Sequence, residues 1–227
     1  MKPCLLSAVL CFPILQLRAQ TRESLALATA VFSEIMIAPD RAIPADLMDR
    51  AECILIVPHL KRALVVGGRR GGGFMSCRRS DGQGWCSPAA IRIEGGSFGL
   101  LPGEAADLLI LVMNRQAIQR FTGAKFQLGA VVAGPVGRTA GAPPDPATAP
   151  EVLAWARSKW LFSGIPLHGA FLREDQDANR ELYGRKIAIG EILGNGGLAP
   201  PPTAGRLLAA LSRFSSPRAG ASGENPK

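Results

Sequence analysis

Residues 51–95 read AECILIVPHLKRALVVGGRRGGGFMSCRRSDGQGWCSPAAIRIEG, and the period of this stretch decides the fold. Cys53-Ile54-Leu55-Ile56-Val57 is a short run rich in branched side chains that ends at Pro58, and Ala63-Leu64-Val65-Val66 follows a brief turn. Both read as buried strands. Gly71-Gly72-Gly73 leads into a strand over residues 74–78, and Asp81-Gly82, a strong turn signal, returns the chain along residues 85–93. Glycines inside apolar runs point to turns, bulges and close backbone approach, hence to β-rich structure.

Upstream, residues 21–36 pattern as an amphipathic helix with Leu25, Ala28, Phe32, Ile35 and Met36 on one face, Thr21 as N-cap and Pro39 as stop. Pro44 opens a second, short helix over residues 45–51, with Leu47 and Met48 inward. Downstream, Gly95-Gly96 marks a turn. Residues 105–113 suit a central strand, although periodicity alone allows a buried helix. Asn114 caps a short helix ending near Phe121, and residues 126–133 form a further strand candidate. The proline-rich residues 141–150 read as a loop within the domain. Strands are expected at 152–158, 161–167 and 169–173, a polar helix at 175–183 and a closing apolar segment at 187–193. The expected class is α+β: N-terminal helices packed on a curved, mainly antiparallel β-sheet, in one domain over residues 20–197. Residues 198–227 read as a Pro/Ala/Ser/Gly-rich tail, interrupted by one amphipathic stretch at 204–214.

At 47% hydrophobic and 19% charged residues, the composition excludes a disordered chain. Residues 1–19 carry Lys2, an apolar run from Pro3 to Leu17 and an acceptable cleavage site at Leu17-Arg18-Ala19, the pattern of a secretory signal peptide. The run falls short of the roughly 20 residues of a membrane span. The expectation is therefore an exported protein, periplasmic or secreted. Its mature chain keeps 24 basic and 18 acidic residues, a surplus that suits an anionic partner. It also keeps Cys53, Cys77 and Cys86, which in an oxidising compartment suggest one disulfide and one spare thiol. A hairpin symmetric about residues 81 and 82 sets Cys77 opposite Cys86, which makes that pair the disulfide candidate. Zinc is not expected, because no pair has ligand spacing and only His59 and His168 are available. No cofactor is expected.

Gly95-Gly96-Ser97-Phe98-Gly99 matches the hydrolase string G-x-S-x-G, with His168 as base and Asp107 or Asp145 as acid. The elbow needs a helix directly after the serine, whereas Pro102-Gly103 would break one within two turns. The alternative is a glycine-rich turn. Gly67-Gly68-Arg69-Arg70-Gly71-Gly72-Gly73 lacks the Gly-Lys-Ser/Thr ending of a phosphate loop and runs from strand to strand. What remains is charge: Lys61, Arg62, Arg69, Arg70, Arg78, Arg79 and Arg92 are offset nearby only by Asp81 and Glu94. The pairs Lys61-Arg62, Arg69-Arg70 and Arg78-Arg79 fall at expected turns or strand ends. Gathered on one edge, they would form a rim of cationic forks for lipid phosphate. Nucleic acid is a poorer fit, because the segment has few aromatics for stacking.

The order of motifs resembles the SYLF domain family. The resemblance lies in residues 51–58; in Gly67 to Gly73 with Asp81-Gly82, Trp85, Ser87 and Pro88; in Gly95 to Gly99; and in residues 110–114. It continues through Leu128-Gly129, residues 133–138, residues 158–164 and Tyr183-Gly184, covering about residues 24–194. Trp160 stands where the family usually has Gly, and Cys86 occupies a position usually absent or different. The resemblance implies membrane-lipid binding, with phosphoinositides as ligands in eukaryotic members and actin filaments in some fungal ones. Members with a signal peptide look bacterial. The expected function is non-enzymatic, reversible binding of anionic phospholipid through Lys61, Arg62, Arg69, Arg70, Arg78 and Arg79. The alternatives are a serine hydrolase using Ser97 and His168, and a protein-interaction module.

Overall fold

The computed structural model describes residues 12–38, 42–62, 69–95, 105–114, 126–127, 132–133, 152–157, 162–164, 170–194 and 197–218. Two helices come first, α1 (Phe12–Ile37) and α2 (Ala45–Arg50). The strands are β1 (Cys53–Arg62), β2 (Arg69–Cys77), β3 (Ala89–Gly95), β4 (Ala105–Val112), β5 (Phe126–Gln127), β6 (Val132–Ala133), β7 (Val152–Arg157), β8 (Phe162–Gly164) and β9 (Ala170–Glu174). Helices α3 (Gln176–Tyr183), α4 (Ile189–Leu193) and α5 (Gly205–Arg213) close the chain, the last entered through a 3-10 turn at Pro202–Ala204.

The strands join in the order β5-β9-β3-β2-β1-β4-β7-β6, with β8 also on β7, and every pairing is antiparallel except β6 with β7. The expected α+β class with a curved, mainly antiparallel sheet is what the chain adopts. The near-continuous apolar run of β1 follows from its central place, because both faces are buried. Cys53, Leu55, Val57 and Leu60 enter one cluster, around which the sheet curls and which α4 plugs with Ile189 and Ile192. Ile54 and Ile56 enter a second cluster beneath α1, α2 and α5. Helix α1 contributes Leu25, Ala28, Val31, Phe32, Ile35 and Met36 to it, the helical spacing read from the sequence with Val31 added.

Strand β1 does not stop at Pro58. It bulges there, with His59 at φ 50°, and pairing resumes at Leu60 and Lys61. The bulge presses on β2: a Cβ on Gly73 would lie 2.3 Å from the Ile56 carbonyl oxygen, and one on Gly71 would lie 2.6 Å from Leu60 Cδ1. Those two glycines are therefore required by close approach. The Asp107 carboxylate steadies the bulge, accepting the His59 N–H at 3.0 Å. It also accepts Arg157 at 2.8 Å, and Arg157 in turn reaches Glu34 on α1 at 2.8 Å. Burial disfavours the Arg157 charge, but the hydrogen bonds to Asp107 and Glu34 outweigh it and hold the guanidinium above its ordinary pKa.

Two expectations are corrected here. The disulfide joins Cys53 and Cys77, not Cys77 and Cys86. The hairpin itself forms as read, with Arg78 bridged to Trp85 and the Cys86 N–H donating to the Cys77 carbonyl at 2.7 Å. Cys77, however, has a neighbour on each side, and the β1–β2 register sets Cys53 directly opposite it. The buried Cys86 thiol instead donates to the carbonyls of Leu193 and Gly194, each at 3.6 Å. The second correction concerns the tail. Residues 202–218 are part of the domain, with Ala204, Leu207 and Leu211 in the helix-side core and the Phe214 ring edge-on to Phe32 at 5.9 Å. The amphipathic stretch at 204–214 turns its apolar face to α1 and the helix-side cluster.

Candidate functional site

The β1–β2 hairpin brings four of the six expected lipid contacts to one end of the sheet. Lys61 stands opposite Arg70, and Arg62 opposite Arg69. On the flanks, Lys61 faces Ala105 of β4 and Arg70 faces Glu94 of β3. Like charges directly across an antiparallel pair are destabilising. Two such pairs stand in succession at this end, one on each face of the sheet.

Arg78 and Arg79 do not join them. They follow the opposite end of β2, eight residues or roughly 26 Å along the strand from Arg70. The single six-residue rim is therefore corrected to one end carrying four cations and another carrying two. The reason is topological: successive turns of an antiparallel meander alternate between the two ends of the sheet. Arg78 is also 5% exposed. It donates to the Ser216 carbonyl at 3.0 Å and the Met48 carbonyl at 3.1 Å, and stacks 4.4 Å from the centre of the Trp85 ring. Burial, with Arg218 nearby, lowers its pKa from the usual arginine value despite Asp49 and Glu52. Arg79 is tied to the Asp81 carboxylate at 2.7 Å, and that hydrogen bond holds Asp81 below its usual range.

The buried end is a clasp. Arg218 donates to the carbonyls of Asp49 at 2.7 Å and Ala51 at 3.0 Å, and pairs with Glu52 at 2.6 Å. Trp85 Nε1–H donates to Ser215 Oγ at 3.1 Å. These partners come from the segment expected to be a tail, so they could not be anticipated. The residues themselves, a Trp and two Arg beside a turn, were the available signal.

Ser97, His168 and Asp145 lie outside the described residues. Asp107, the other acid considered for a triad, is committed to Arg157 and the β1 bulge. Among the described residues no group of His, Cys, Asp and Glu is arranged to hold a metal, and no helix is long and apolar enough to cross a membrane. An open cleft of about 450 Å³ lies between residues 20–24 of α1, the β2–β3 pair and α3.

Together these features define a small α+β scaffold, a curved antiparallel sheet clasped by helices with cations gathered at one end. The chain belongs to the Ysc84 family, described as Las17-binding protein actin regulator, whose sequence model matches residues 94–214. That match runs through α5, as does the core. The chain is 32% identical over 203 residues to LAS seventeen-binding protein 3 of Saccharomyces cerevisiae, covering 86% of this chain and 44% of that protein. It is 34% identical over 179 residues to Protein YSC84 of the same yeast, covering 76% and 38%. It is 33% identical over 181 residues to SH3 domain-containing YSC84-like protein 1 of Bos taurus, covering 78% and 52%. The chain thus spans about half or less of the length of the curated relatives it matches. The family resemblance drawn from the motif order holds, and the hydrolase alternative finds no support among these relatives.

Proposed function

We propose that this protein binds anionic phospholipid surfaces reversibly, without catalysis, through the end of the β1–β2 hairpin. The observation that carries the reading is the register that sets Lys61 against Arg70 and Arg62 against Arg69. Each basic residue near an anionic bilayer contributes about 1 kcal/mol, so four supply about 4 kcal/mol, roughly a thousandfold in affinity. The reading also holds the protein to be exported, periplasmic or secreted, and peripherally membrane-associated. The pattern of residues 1–19 supports this, as does the buried Cys53–Cys77 bridge, because disulfides persist in oxidising compartments.

Vesicle pelleting at two salt concentrations tests it. Binding to vesicles containing phosphatidylserine, weakening at high salt, with none to phosphatidylcholine alone, is expected. Reversing Lys61, Arg62, Arg69 and Arg70 to Glu abolishes binding, whereas Arg79→Glu leaves most of it. Salt-insensitive binding, or binding that survives the fourfold reversal, would refute the mechanism. Absence of fluorophosphonate labelling is the expected companion result.

A second reading, a protein partner, is favoured by relatives named for binding Las17 and for carrying an SH3 domain. The same cationic end would then meet an acidic protein segment. Retention on such a partner with no vesicle binding would select it.

A further inference from the structure

Gly72 is the one glycine of the Gly71–Gly73 run that close approach does not explain. A Cβ built on it meets nothing within 4 Å, and its backbone is not in the left-handed region. It is exposed in the middle of a five-strand stretch of sheet, where glycine lowers strand stability. It opens into the cleft beside α1, whose apolar floor also includes Phe74 and Ala90. A strand glycine bare to a cleft leaves room for a ligand against the backbone.

The walls say which ligand. Two cations, Arg92 and Arg180, face three acids, Asp175, Asp177 and Glu181, so the lining carries a net charge of −1. The cations are engaged, Arg92 with Asp175 at 3.1 Å and Arg180 with Asp177 at 3.2 Å. Thr21 donates to Glu181 at 2.5 Å, and Ser24 adds a second hydroxyl from α1. Such a lining offers hydrogen bonds to hydroxyl groups and repels a second phosphate. Arg70 lies two residues from Gly72 along β2, about 7 Å away along the backbone, which brings the cationic end of the strand near the cleft.

We propose that the cleft receives the uncharged, hydroxyl-bearing head of a phosphodiester lipid, whose single phosphate is held by the hairpin-end cations. This rests on the membrane reading above and narrows it to a lipid class represented by phosphatidylglycerol, against phosphomonoester lipids such as phosphatidic acid.

The test compares phosphatidylglycerol with phosphatidic acid in vesicles of matched surface potential. The native protein prefers phosphatidylglycerol by about tenfold, the worth of one or two net hydrogen bonds. Gly72→Val puts a branched side chain, of a type strands favour, over the backbone where the head would lie, so it folds with unchanged or raised Tm, keeps salt-dependent binding and loses the preference. Asp177→Lys, at an exposed position, turns the lining to +1 and shifts the preference towards phosphatidic acid. Equal or tighter binding of phosphatidic acid by the native protein, or a preference that survives Gly72→Val, overturns the proposal. Calorimetry with soluble glycerophosphoglycerol separates the two readings. Binding that Gly72→Val removes supports the cleft even where no vesicle is bound, and binding of neither probe sinks both.

Discussion

Tyr183 is the single tyrosine of the chain, and its hydroxyl donates to the Pro88 carbonyl at 2.6 Å. Burial pushes its pKa well above the usual tyrosine range; a hydrogen bond with Ser87 pulls the other way, and Cys86 adds to the rise. An unfolded tyrosine ionises near pH 10, so above that pH the unfolded state loses its proton first. The stability this group contributes is therefore intact at neutral pH and lost as pH rises beyond about 10. The phenolate absorbance of the native protein should appear at higher pH than in urea, and the alkaline fall in Tm should be smaller in Tyr183→Phe. Arg78 makes an equally local prediction. Arg78→Ala removes two hydrogen bonds to carbonyls and a stacked cation from a buried clasp, a loss of about 2–4 kcal/mol in urea unfolding. Lys should not rescue it, lacking the planar fork. Arg79→Ala, an exposed pair, should change stability by less than about 1 kcal/mol.

At the scale of elements, α5 and the β1–β2 pair carry the consequences. Leu211 is fully buried between α5 and the helix-side core, so Leu211→Ala should cost about 2–5 kcal/mol, and truncation before Pro202 should abolish the cooperative unfolding transition. A solvated tail would tolerate both changes. The Cys53–Cys77 bridge closes a sequence separation of 24 residues and should contribute about 3 kcal/mol. Cys53→Ser removes that stability under non-reducing conditions. Cys86→Ser should leave the bridge intact in non-reducing peptide mapping, whereas a Cys77–Cys86 bridge would be lost.

At the scale of the molecule, charge is distributed by end. One end of the sheet sets Lys61 and Arg62 in register with Arg70 and Arg69, and the other binds Arg78 and Arg218 into a clasp that joins α2 to the C-terminal segment. On the proposed membrane reading, vesicle binding should fall with salt and with changes at Lys61, Arg62, Arg69 and Arg70. Changes at Arg78 should appear as unfolding, visible by circular dichroism before any loss of vesicle binding is scored.

The branched apolar run from Cys53 to Val57, the helical spacing of Leu25 to Met36 and the Asp81-Gly82 turn are local signals, and they determined the first strands, the main helix and the α+β class, whereas residues 105–112 became a strand that periodicity alone left open against a buried helix. The polar helix read over residues 175–183 forms as α3 from Gln176, and Asp175 stands just outside it as the cap, accepting the Ala178 N–H. Which side of Cys77 would take the bond was a matter of register between strands, and which arginines would meet was a matter of which end each turn occupies. The burial of residues 202–218 depended on a groove that α1 and the sheet make only once packed. Local periods are written along the chain because each residue's immediate neighbours set them. Pairings across the sheet, and the covering of one element by another, arise only from contacts distant in sequence, so the folded molecule alone decided them.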